Sequence, residues 1–242
     1  MTRNEERALP AALASLPAGT PILVVDAHSQ DRTREIARAA GATVVDREWT
    51  DFVDARRFAR SLVRTPWTFM LDADERCDED LRESLQGVVP QPEVDGYRVR
   101  RVTRFCGTAI NALGWDEERL LRLFRTERAT LEAHPAAGGS AAIHERWTVP
   151  GEVRELEGTL LHDSYPDRAS YRRKFARYTS LEAQGLQTSA LRIAAVAAQT
   201  PLRMLWMLGV RGGLRAGWRG AYLAFWSSLY PLVAHLKALR RR

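Results

Sequence analysis

Short apolar runs alternate with amphipathic stretches along the first 90 residues of the chain. The apolar runs are short and rich in β-branched residues, which favours buried strands, whereas the stretches between them repeat apolar residues at helical spacing. Strands are therefore predicted over 22–26, 42–46 and 67–72, and helices over 32–40, 52–64 and 79–87. This alternation predicts an α/β fold with a mostly parallel, doubly wound sheet. Ligands of such sheets bind beside the carboxyl ends of the strands, where Asp26 and Asp72 fall.

The pattern changes after Pro92. Residues 96–105 alternate enough to predict a strand, and residues 115–124 predict a loop that enters a short strand or helix. From Ser170 onwards, apolar and aromatic residues recur at helical spacing. We therefore predict two domains, an α/β domain over 1–167 and a helical extension over 168–242.

Charge divides the chain at the same place. The formal net charge is +6, but the segment 168–242 holds 14 Lys and Arg against one acid, Glu182, and so carries +13. The rest of the chain therefore carries −7. An acidic body joined to a basic extension indicates one region that binds cations and another that meets an anionic surface.

Several classes of protein are disfavoured by what the sequence lacks. Two cysteines, Cys77 and Cys106, form neither a disulfide framework nor a metal-binding CxxC pair, which predicts free thiols in a reducing compartment. The N-terminal MTRNEER has no apolar region of the kind found in signal peptides. The absence of an RNP, zinc-finger or helix-turn-helix signature argues against a nucleic-acid partner.

The extension has the composition of a membrane-surface element. The 17 residues between Arg219 and Lys237 carry no formal charge if His235 is neutral. That run is shorter than the roughly 20 residues that span a bilayer, and Pro231 interrupts it. Arginines on one broad helical face and aromatic residues typical of a membrane interface accompany it: Arg203, Arg211, Arg215 and Arg219, with Trp206, Trp218, Tyr222, Trp226 and Tyr230. We predict a monotopic element attracted to anionic lipid; the alternative is a helical hairpin that packs on the α/β domain.

Two aspartates one residue apart follow the third predicted strand, in LDADE (71–75). Side chains two positions apart on a strand point to the same side, so Asp72 and Asp74 can converge on one cation. Mg²⁺ and Mn²⁺ accept a few carboxylates together with phosphate oxygens and water. The alternative is a polar strand end followed by an acidic helix N-terminus, with Asp78 and Asp80 favoured by the helix dipole.

An ordered set of motifs accompanies this aspartate pair. The set is TRNEER (2–7), VVDAHSQDRTREIA (24–37), ARRFA (55–59), LDADE (71–75), GW (114–115), LRLF (121–124), HE (144–145) and LLHDSY (160–165). In this order, the set resembles the family 2 glycosyltransferases with a GT-A fold. More narrowly, it is similar to the bacterial subgroup that adds a sugar to the lipopolysaccharide core or to other envelope glycans.

The resemblance implies a donor site that binds a nucleotide-diphosphate sugar, such as a UDP-sugar. Asn4 and Glu5 would lie near the nucleotide, and Asp26 would contact its base or ribose. Asp72 would lie near the ribose and beside the metal, and Asp74 would hold Mg²⁺ or Mn²⁺ on the diphosphate.

A basic pair in ARRFA belongs to the same implied site. Arg56 would reach a phosphate, whereas Arg57 stands where the family has Asn. A diphosphate leaving group carries negative charge that such groups stabilise as the glycosidic bond breaks.

An inverting transfer also needs a base for the proton of the acceptor hydroxyl. The resemblance points to Glu118, with Asp116 and Glu117 close enough to compete. The alternative is that all three are solvated acids beside Arg119 and Arg122. The resemblance further implies that His144 and Glu145 line the acceptor side, whereas His162 on its own predicts a hydrogen-bonded structural residue.

One departure from the family concerns the N-terminus. The family has an apolar strand immediately before the NEE motif, and here that first strand is expected to be missing, which leaves neighbouring strand edges unpaired. We predict a metal-dependent, inverting enzyme acting on a membrane glycolipid acceptor at the cytoplasmic face of the cell membrane. The alternative is a non-catalytic GT-A-like domain that binds membranes or a partner.

Overall fold

The computed structural model describes residues 1–116, 118–134 and 144–241, and for residues 52, 133, 134, 144 and 145 it describes the backbone only. The described chain divides into two compact units. The first unit comprises 1–101, 118–134 and 144–163, and the second comprises 102–116 and 164–241. Each unit is described by itself.

The first unit begins with a parallel strand pair. Strands β1 (Leu23–Asp26) and β2 (Thr43–Asp46) pair in register, and helices α1 (Leu9–Ala14) and α2 (Thr33–Ala39) pack with them around a small apolar cluster. Before α1, the backbone of Thr2 forms a parallel bridge to Asp26. The α/β class, both strands and the parallel pairing agree with the sequence prediction.

Six further strands form a longer sheet. Its order is β3 (Trp67–Phe69), β7 (Glu118–Arg125), β5 (Val94–Phe105), β10 (Glu152–Tyr165) and β4 (Glu75–Cys77), and β6 (Thr108–Ala109) also pairs with β5. The pairs β3–β7, β5–β7 and β4–β10 are antiparallel. Among the described residues, no ladder joins β1 to β3, so the third predicted strand lies in a different sheet from the first two.

Several strands differ from the prediction. The third strand ends at Phe69 rather than at residue 72, so the LDADE aspartates lie in the turn between β3 and β4. The stretch 115–124 enters a strand, β7, as one of its two predicted outcomes. Strands β8 (Thr130–His134) and β9 (His144–Thr148), which pair with each other, and the long strand β10 were not predicted.

Helices α3 (Phe52–Leu62) and α4 (Glu79–Gly87) follow the predicted ranges closely. The carboxylate of Asp78 caps α4 by accepting hydrogen bonds from Leu81 N at 2.9 Å and from Thr159 N at 2.8 Å. This confirms that the later acids of the run begin a helix, and it also ties α4 to β10.

The second unit is helical. Its helices are α5 (Arg168–Gly185), α6 (Ala190–Gly209) and α7 (Gly217–Leu239), with a 3₁₀ turn over Gly213–Ala216 between the last two. Both α5 and α6 begin at capping side chains, Asp167 and Ser189. Its core contains buried residues of β5, of the loop after β6 and of the helices: Phe105, Ile110, Leu113, Tyr171, Phe175, Met207 and Leu223.

The aromatic residues of the extension divide into two groups. Tyr222, Trp226 and Tyr230 pack against the core of the second unit, which differs from the expected position at a membrane interface. Trp206 and Trp218 are exposed. In the described part of the chain, no single helix meets the length and hydropathy of a bilayer span, although α6 and the segment Gly213–Leu239 meet them together across a bend of 67°.

Both cysteines are free thiols, as predicted. Cys77 lies in β4, where burial raises the pKa of its thiol to about 12. A thiol with that pKa is protonated at neutral pH and is a poor nucleophile.

Candidate active site

The carboxylate of Asp72 is held by two guanidinium groups. Arg56, from α3, donates to both of its oxygens at 2.9 and 3.2 Å, and Arg122, from β7, donates at 3.1 Å. Burial on its own would raise the pKa of Asp72, but Arg122 and Arg56 outweigh it and hold that pKa well below its usual range. Asp72 is therefore an anion whose charge is already compensated by protein cations.

A buried ion-pair chain continues from this contact. Arg122, whose side chain is only 3% exposed, also donates to Oε1 of the fully buried Glu75 at 2.5 Å. Glu75 in turn accepts from the backbone N of Asp72 at 3.1 Å and from Arg101 at 3.2 Å. Arg101 then reaches Glu118 at 2.6 Å. The turn that carries the aspartate pair is thus linked to the predicted base through two arginines and one glutamate.

Asp74 has different surroundings. Its Oδ2 lies 3.2 Å from Nε2 of His162, which comes from β10, and its backbone carbonyl accepts from Asp163 N at 2.8 Å. The Nδ1 atom of His162 is buried and makes no hydrogen bond to the described residues. The sequence predicted that Asp72 and Asp74 converge on one cation; in the turn, Asp72 contacts Arg56 and Arg122, and Asp74 contacts His162.

Asp26 ends β1 as predicted, and its side chain is completely buried. Its oxygens accept hydrogen bonds from Thr2 Oγ1 at 2.9 Å, from Ser29 Oγ at 2.6 Å and from Ser29 N at 2.7 Å. In this arrangement Asp26 presents no exposed oxygen to a nucleotide. It instead shapes the loop at the end of β1, which differs from the direct contact that was predicted.

The NEE motif is fastened to the same loop. The backbone N of Asn4 donates to Ser29 Oγ at 2.9 Å, and that of Glu5 donates to Thr33 Oγ1 at 2.8 Å. The side chain of Asn4 accepts a hydrogen bond from Gln30 N at 2.8 Å, and the backbone of Asn4 has a positive φ of 58°. Asn tolerates that left-handed conformation better than most residues, which accounts for Asn at this turn.

The ends of β1 and β3 approach a common region. Burial lowers the pKa of the Met1 ammonium group, and Asp72 and Asp26 both act on it in the opposite direction. The Met1 ammonium group therefore interacts electrostatically with Asp26 at the end of β1 and with Asp72 after β3. This is expected where strand ends build a single site.

The remaining predicted residues fall in three places. Glu118 begins β7 and is half exposed beside Arg101, whereas Asp116 belongs to the second unit and Glu117 lies outside the described residues. His144 and Glu145 have backbone positions in β9, and their side chains also lie outside the description.

Arg57 does not take the place of a phosphate ligand. Its guanidinium donates to the carbonyl oxygen of Leu131 at 3.0 Å and so fastens α3 to β8. The neighbouring Arg56 is the member of the pair that faces the aspartates.

The structure adds Arg101, Arg122, Glu75 and His162 to the residues predicted for the site. Three of them stand inside quoted motifs, Glu75 in LDADE, Arg122 in LRLF and His162 in LLHDSY, so their type was visible although their pairing was not.

The donor set at Asp74 fits a divalent cation with few protein ligands. No group of three His, Cys, Asp or Glu side chains with metal-binding geometry occurs among the described residues. A carboxylate and an imidazole 3.2 Å apart can nevertheless both bind one ion whose other positions are filled by phosphate oxygens and water.

Comparison with known proteins agrees with the motifs. LpsC of Rhizobium meliloti, a lipopolysaccharide core biosynthesis glycosyltransferase, is 31% identical over 166 residues, which cover 66% of this chain and 59% of that protein. The uncharacterized glycosyltransferase RT0209 of Rickettsia typhi is 24% identical over 192 residues, or 77% of this chain and 66% of its own. The chain thus spans about three fifths to two thirds of these relatives, and the subgroup resemblance is confirmed as a similarity.

The fold has a counterpart among solved structures. Mannosyltransferase PcManGT from Pyrobaculum calidifontis, in complex with GDP-Man and Mn²⁺, superposes with a TM-score of 0.53 at 14% identity and covers all of this chain and 86% of that one. The likeness confirms the GT-A fold. A family signature described as Glycosyl transferase family 2 matches residues 1–148. This chain belongs to glycosyl transferase family 2.

Proposed function

We propose that the chain transfers a sugar from a nucleotide-diphosphate donor to an acceptor hydroxyl, with inversion at the anomeric carbon. The observation that carries the proposal is the division of the aspartate pair. Arg56 and Arg122 compensate the charge of Asp72, whereas the Asp74 carboxylate faces the imidazole of His162, a second ligand type for a cation. A site with both features can receive a ligand that carries a diphosphate.

Charge on the leaving group is the main electrostatic demand of this reaction. As the bond from the anomeric carbon to the diphosphate oxygen breaks, that oxygen gains negative charge. Asp74 and His162 would hold Mg²⁺ or Mn²⁺, which would neutralise part of this charge. The side chains of Arg56 and Asp72 are 16% and 26% exposed, and Arg56 would contact a phosphate oxygen.

The acceptor hydroxyl requires a proton acceptor. Glu118 takes this role in the proposal: its carboxylate removes the proton while the hydroxyl oxygen attacks the anomeric carbon opposite the leaving group. The guanidinium of Arg101 lies 2.6 Å from the Glu118 carboxylate and would hold it in place beside the acceptor. His144 and Glu145 would line the acceptor side.

The substrates are proposed from the relatives. The role of LpsC in lipopolysaccharide core biosynthesis supports an envelope glycolipid acceptor, and the family supports a nucleotide-sugar donor, for which we propose a UDP-sugar. We further propose that transfer takes place at the cytoplasmic face of the cell membrane, where the basic second unit would meet anionic lipid.

A non-catalytic binding module is the second candidate. One observation favours it: within the described residues, β1 and β3 lie in separate sheets. A break in the sheet beside Asp26 would weaken one wall of a nucleotide site.

Donor turnover and binding distinguish the two candidates. Nucleotide release from UDP- and GDP-sugars is measured with Mn²⁺, with Mg²⁺ and with EDTA, and Mn²⁺ binding is followed by electron paramagnetic resonance. We expect Asp74→Asn to lose at least about tenfold in Mn²⁺ affinity and in turnover, since it removes a charged ligand. Asp80→Asn, an exposed acid on α4, is the matched control and should change neither.

Two outcomes contradict the proposal. If Asp74→Asn retains Mn²⁺ binding and turnover, the cation is held elsewhere. If no donor is bound or cleaved under any condition by the folded wild-type protein, the binding-module candidate is preferred.

A further inference from the structure

The outward face of α6 is apolar, which is the reverse of what a helix on a water-soluble surface shows. One narrow stripe of α6 is half buried or buried: Ile193, Val196, Thr200, Met204 and Met207. The opposite face is exposed throughout and consists of Leu191, Ala195, Ala198, Leu202, Leu205 and Trp206. These positions recur at spacings of three and four residues, which places them on one side of the helix.

The apolar face is continuous with the turn that follows α6. Leu202 and Leu205 are 67% and 66% exposed, and Val210, Leu214 and Trp218 are also exposed. Monomeric soluble proteins rarely expose apolar patches of this extent, so a contiguous set of this kind marks an interaction site. We call this surface the α6 face; it consists of Leu191, Leu202, Leu205, Trp206, Val210 and Leu214.

Arginines border the α6 face, and acids are absent from it. Arg203 lies on the flank of α6, Arg215 is exposed in the 3₁₀ turn, and the guanidinium carbon of Arg211 lies 5.5 Å from the ring centroid of Trp206. No Asp or Glu occurs after Glu182 in the sequence. The partner of the α6 face must therefore bring both an apolar phase and negative charge.

A second copy of this chain meets that requirement poorly. A two-fold interface would place the α6 face against itself, since such interfaces use the same patch on both subunits. Arg203 and Arg215 would then approach their copies across the two-fold axis, and the segment after Glu182 holds no Asp or Glu to offset them. An anionic lipid bilayer supplies acyl chains for the leucines and phosphate headgroups for the arginines.

We propose that the α6 face lies in the headgroup region of an anionic membrane, with the axis of α6 along the membrane surface. The rest of the second unit stays above it, because α7 is packed on its own unit through Leu223, Ala224 and Ala234. The sequence predicted a membrane contact for the extension as a whole, from Arg203 to Lys237; the proposal assigns it to α6 and the turn that follows. The inference deepens the proposed function by naming the surface, but it concerns lipid binding alone and requires no sugar transfer.

Vesicle co-sedimentation tests the α6 face directly. The full chain is mixed with vesicles of phosphatidylcholine alone or with about 30% phosphatidylglycerol, and we expect binding to the anionic vesicles that weakens with salt. Leu202→Ser combined with Leu205→Ser should reduce partitioning at least about tenfold, because two buried apolar contacts are lost. Val89→Ser is the matched control, since Val89 is 72% exposed in the first unit and should not affect binding.

Two further measurements make the test specific. Arg215→Gln should lower partitioning into anionic vesicles about fivefold, whereas Arg38→Gln, an exposed arginine on α2, should leave it unchanged. Brominated lipids should quench tryptophan fluorescence in the wild type and quench it less in Trp206→Phe. Circular dichroism establishes that each variant is folded.

Three results overturn the proposal. The first is folded wild-type protein that stays in the supernatant with anionic vesicles. The second is binding that the leucine variant and the Val89 control retain equally. The third is a dimer in solution that the leucine variant converts to a monomer, which would make the α6 face an interface between copies. Donor binding measured in solution is independent of all three, so failure here and failure of the proposed transfer are distinguishable.

Discussion

At the scale of single residues, the guanidinium of Arg122 lies buried between two carboxylates that are close in sequence, Asp72 and Glu75. Burial lowers the pKa of an arginine, but here Glu75 and Asp72 outweigh it and raise the pKa of Arg122 above its usual value. The site therefore keeps a permanent positive charge beside the aspartate turn. Removal of one partner from such a group leaves an uncompensated buried charge.

The substitution Arg122→Met tests this dependence. We expect the free energy of unfolding to fall by about 3–5 kcal/mol, because Glu75 loses its closest cation in a buried position. Urea denaturation followed by circular dichroism measures the change. Arg82→Met removes the exposed partner of Glu79 on α4 and should cost about 1 kcal/mol or less. If both variants lose the same free energy of unfolding, the buried ion pair of Arg122 stabilises the fold no more than the exposed ion pair of Arg82.

The ion pairs of Asp72 also predict how stability depends on pH. Because the folded state lowers the pKa of Asp72, the unfolded state binds more protons in acid. The contribution of Asp72 is therefore fully present above its unfolded pKa of about 4 and is lost as pH falls below that value. Unfolding free energies measured from pH 6 to pH 3 should decline less steeply in Asp72→Asn than in the wild type. An identical slope would exclude Asp72 as a source of acid lability.

Sequence patterns located this site without its internal contacts. Asp72, Asp74 and Arg56 were predicted from motifs that are local in the chain. Their partners are distant: 50 positions separate Arg122 from Asp72, and 88 separate His162 from Asp74. Such pairings depend on strand register, which a single sequence does not reveal. The strand was predicted to continue to residue 72, whereas β3 ends at Phe69, so the turn that holds both aspartates was not predicted.

At the scale of elements, Gly158 is the position where β10 passes closest to helix α4. Its φ is +91°, and a Cβ placed there would lie 2.1 Å from the backbone N of Leu81 and 2.5 Å from its Cα. The same segment supplies Thr159 N to the Asp78 cap. A glycine is thus required both by the backbone conformation and by the close approach of two elements.

Gly158→Ala should be strongly destabilising for these two reasons. Conformational strain alone costs about 1–2 kcal/mol, and the collision with a backbone adds about 1–3 kcal/mol. Gly107→Ala is the control, since Gly107 has a φ of +77° but nothing within 4 Å of the added carbon. Thermal unfolding of both variants separates strain from collision. If the two lose the same stability, the contact between β10 and α4 is looser than the structure shows.

Helices and parallel strands were easier to predict than the antiparallel strands. Periodic apolar faces and capping residues identified α2 to α4, and short β-branched runs identified β1 and β2. β10 has only two fully buried residues, Leu160 and Ser164, so its alternation is weak. Helix α1 contains a proline, Pro10. This residue falls in the first turn of the helix, where proline is tolerated.

At the scale of the whole molecule, the two compact units carry two different kinds of chemistry. The first unit holds Asp72, Asp74 and Arg122, and the second unit holds the α6 face and the segment with a net charge of +13, residues 168–242. If the proposed function and the α6 inference are both right, donor chemistry and membrane binding are separable properties. A variant can then lose either one without the other.

Transfer to a membrane-embedded acceptor should need both properties, and this predicts a specific pattern across variants. Leu202→Ser with Leu205→Ser should keep Mn²⁺ binding and nucleotide release in solution, but transfer to an acceptor in anionic vesicles should fall at least about tenfold, in proportion to lost partitioning. Asp74→Asn should show the converse, with wild-type vesicle binding and little nucleotide release. Radiolabelled donor and vesicle co-sedimentation measure the two quantities in one sample. A leucine variant that transfers to vesicle acceptor at the wild-type rate would mean that the acceptor reaches the site without the α6 face, and the membrane would then serve only as the place where the protein resides.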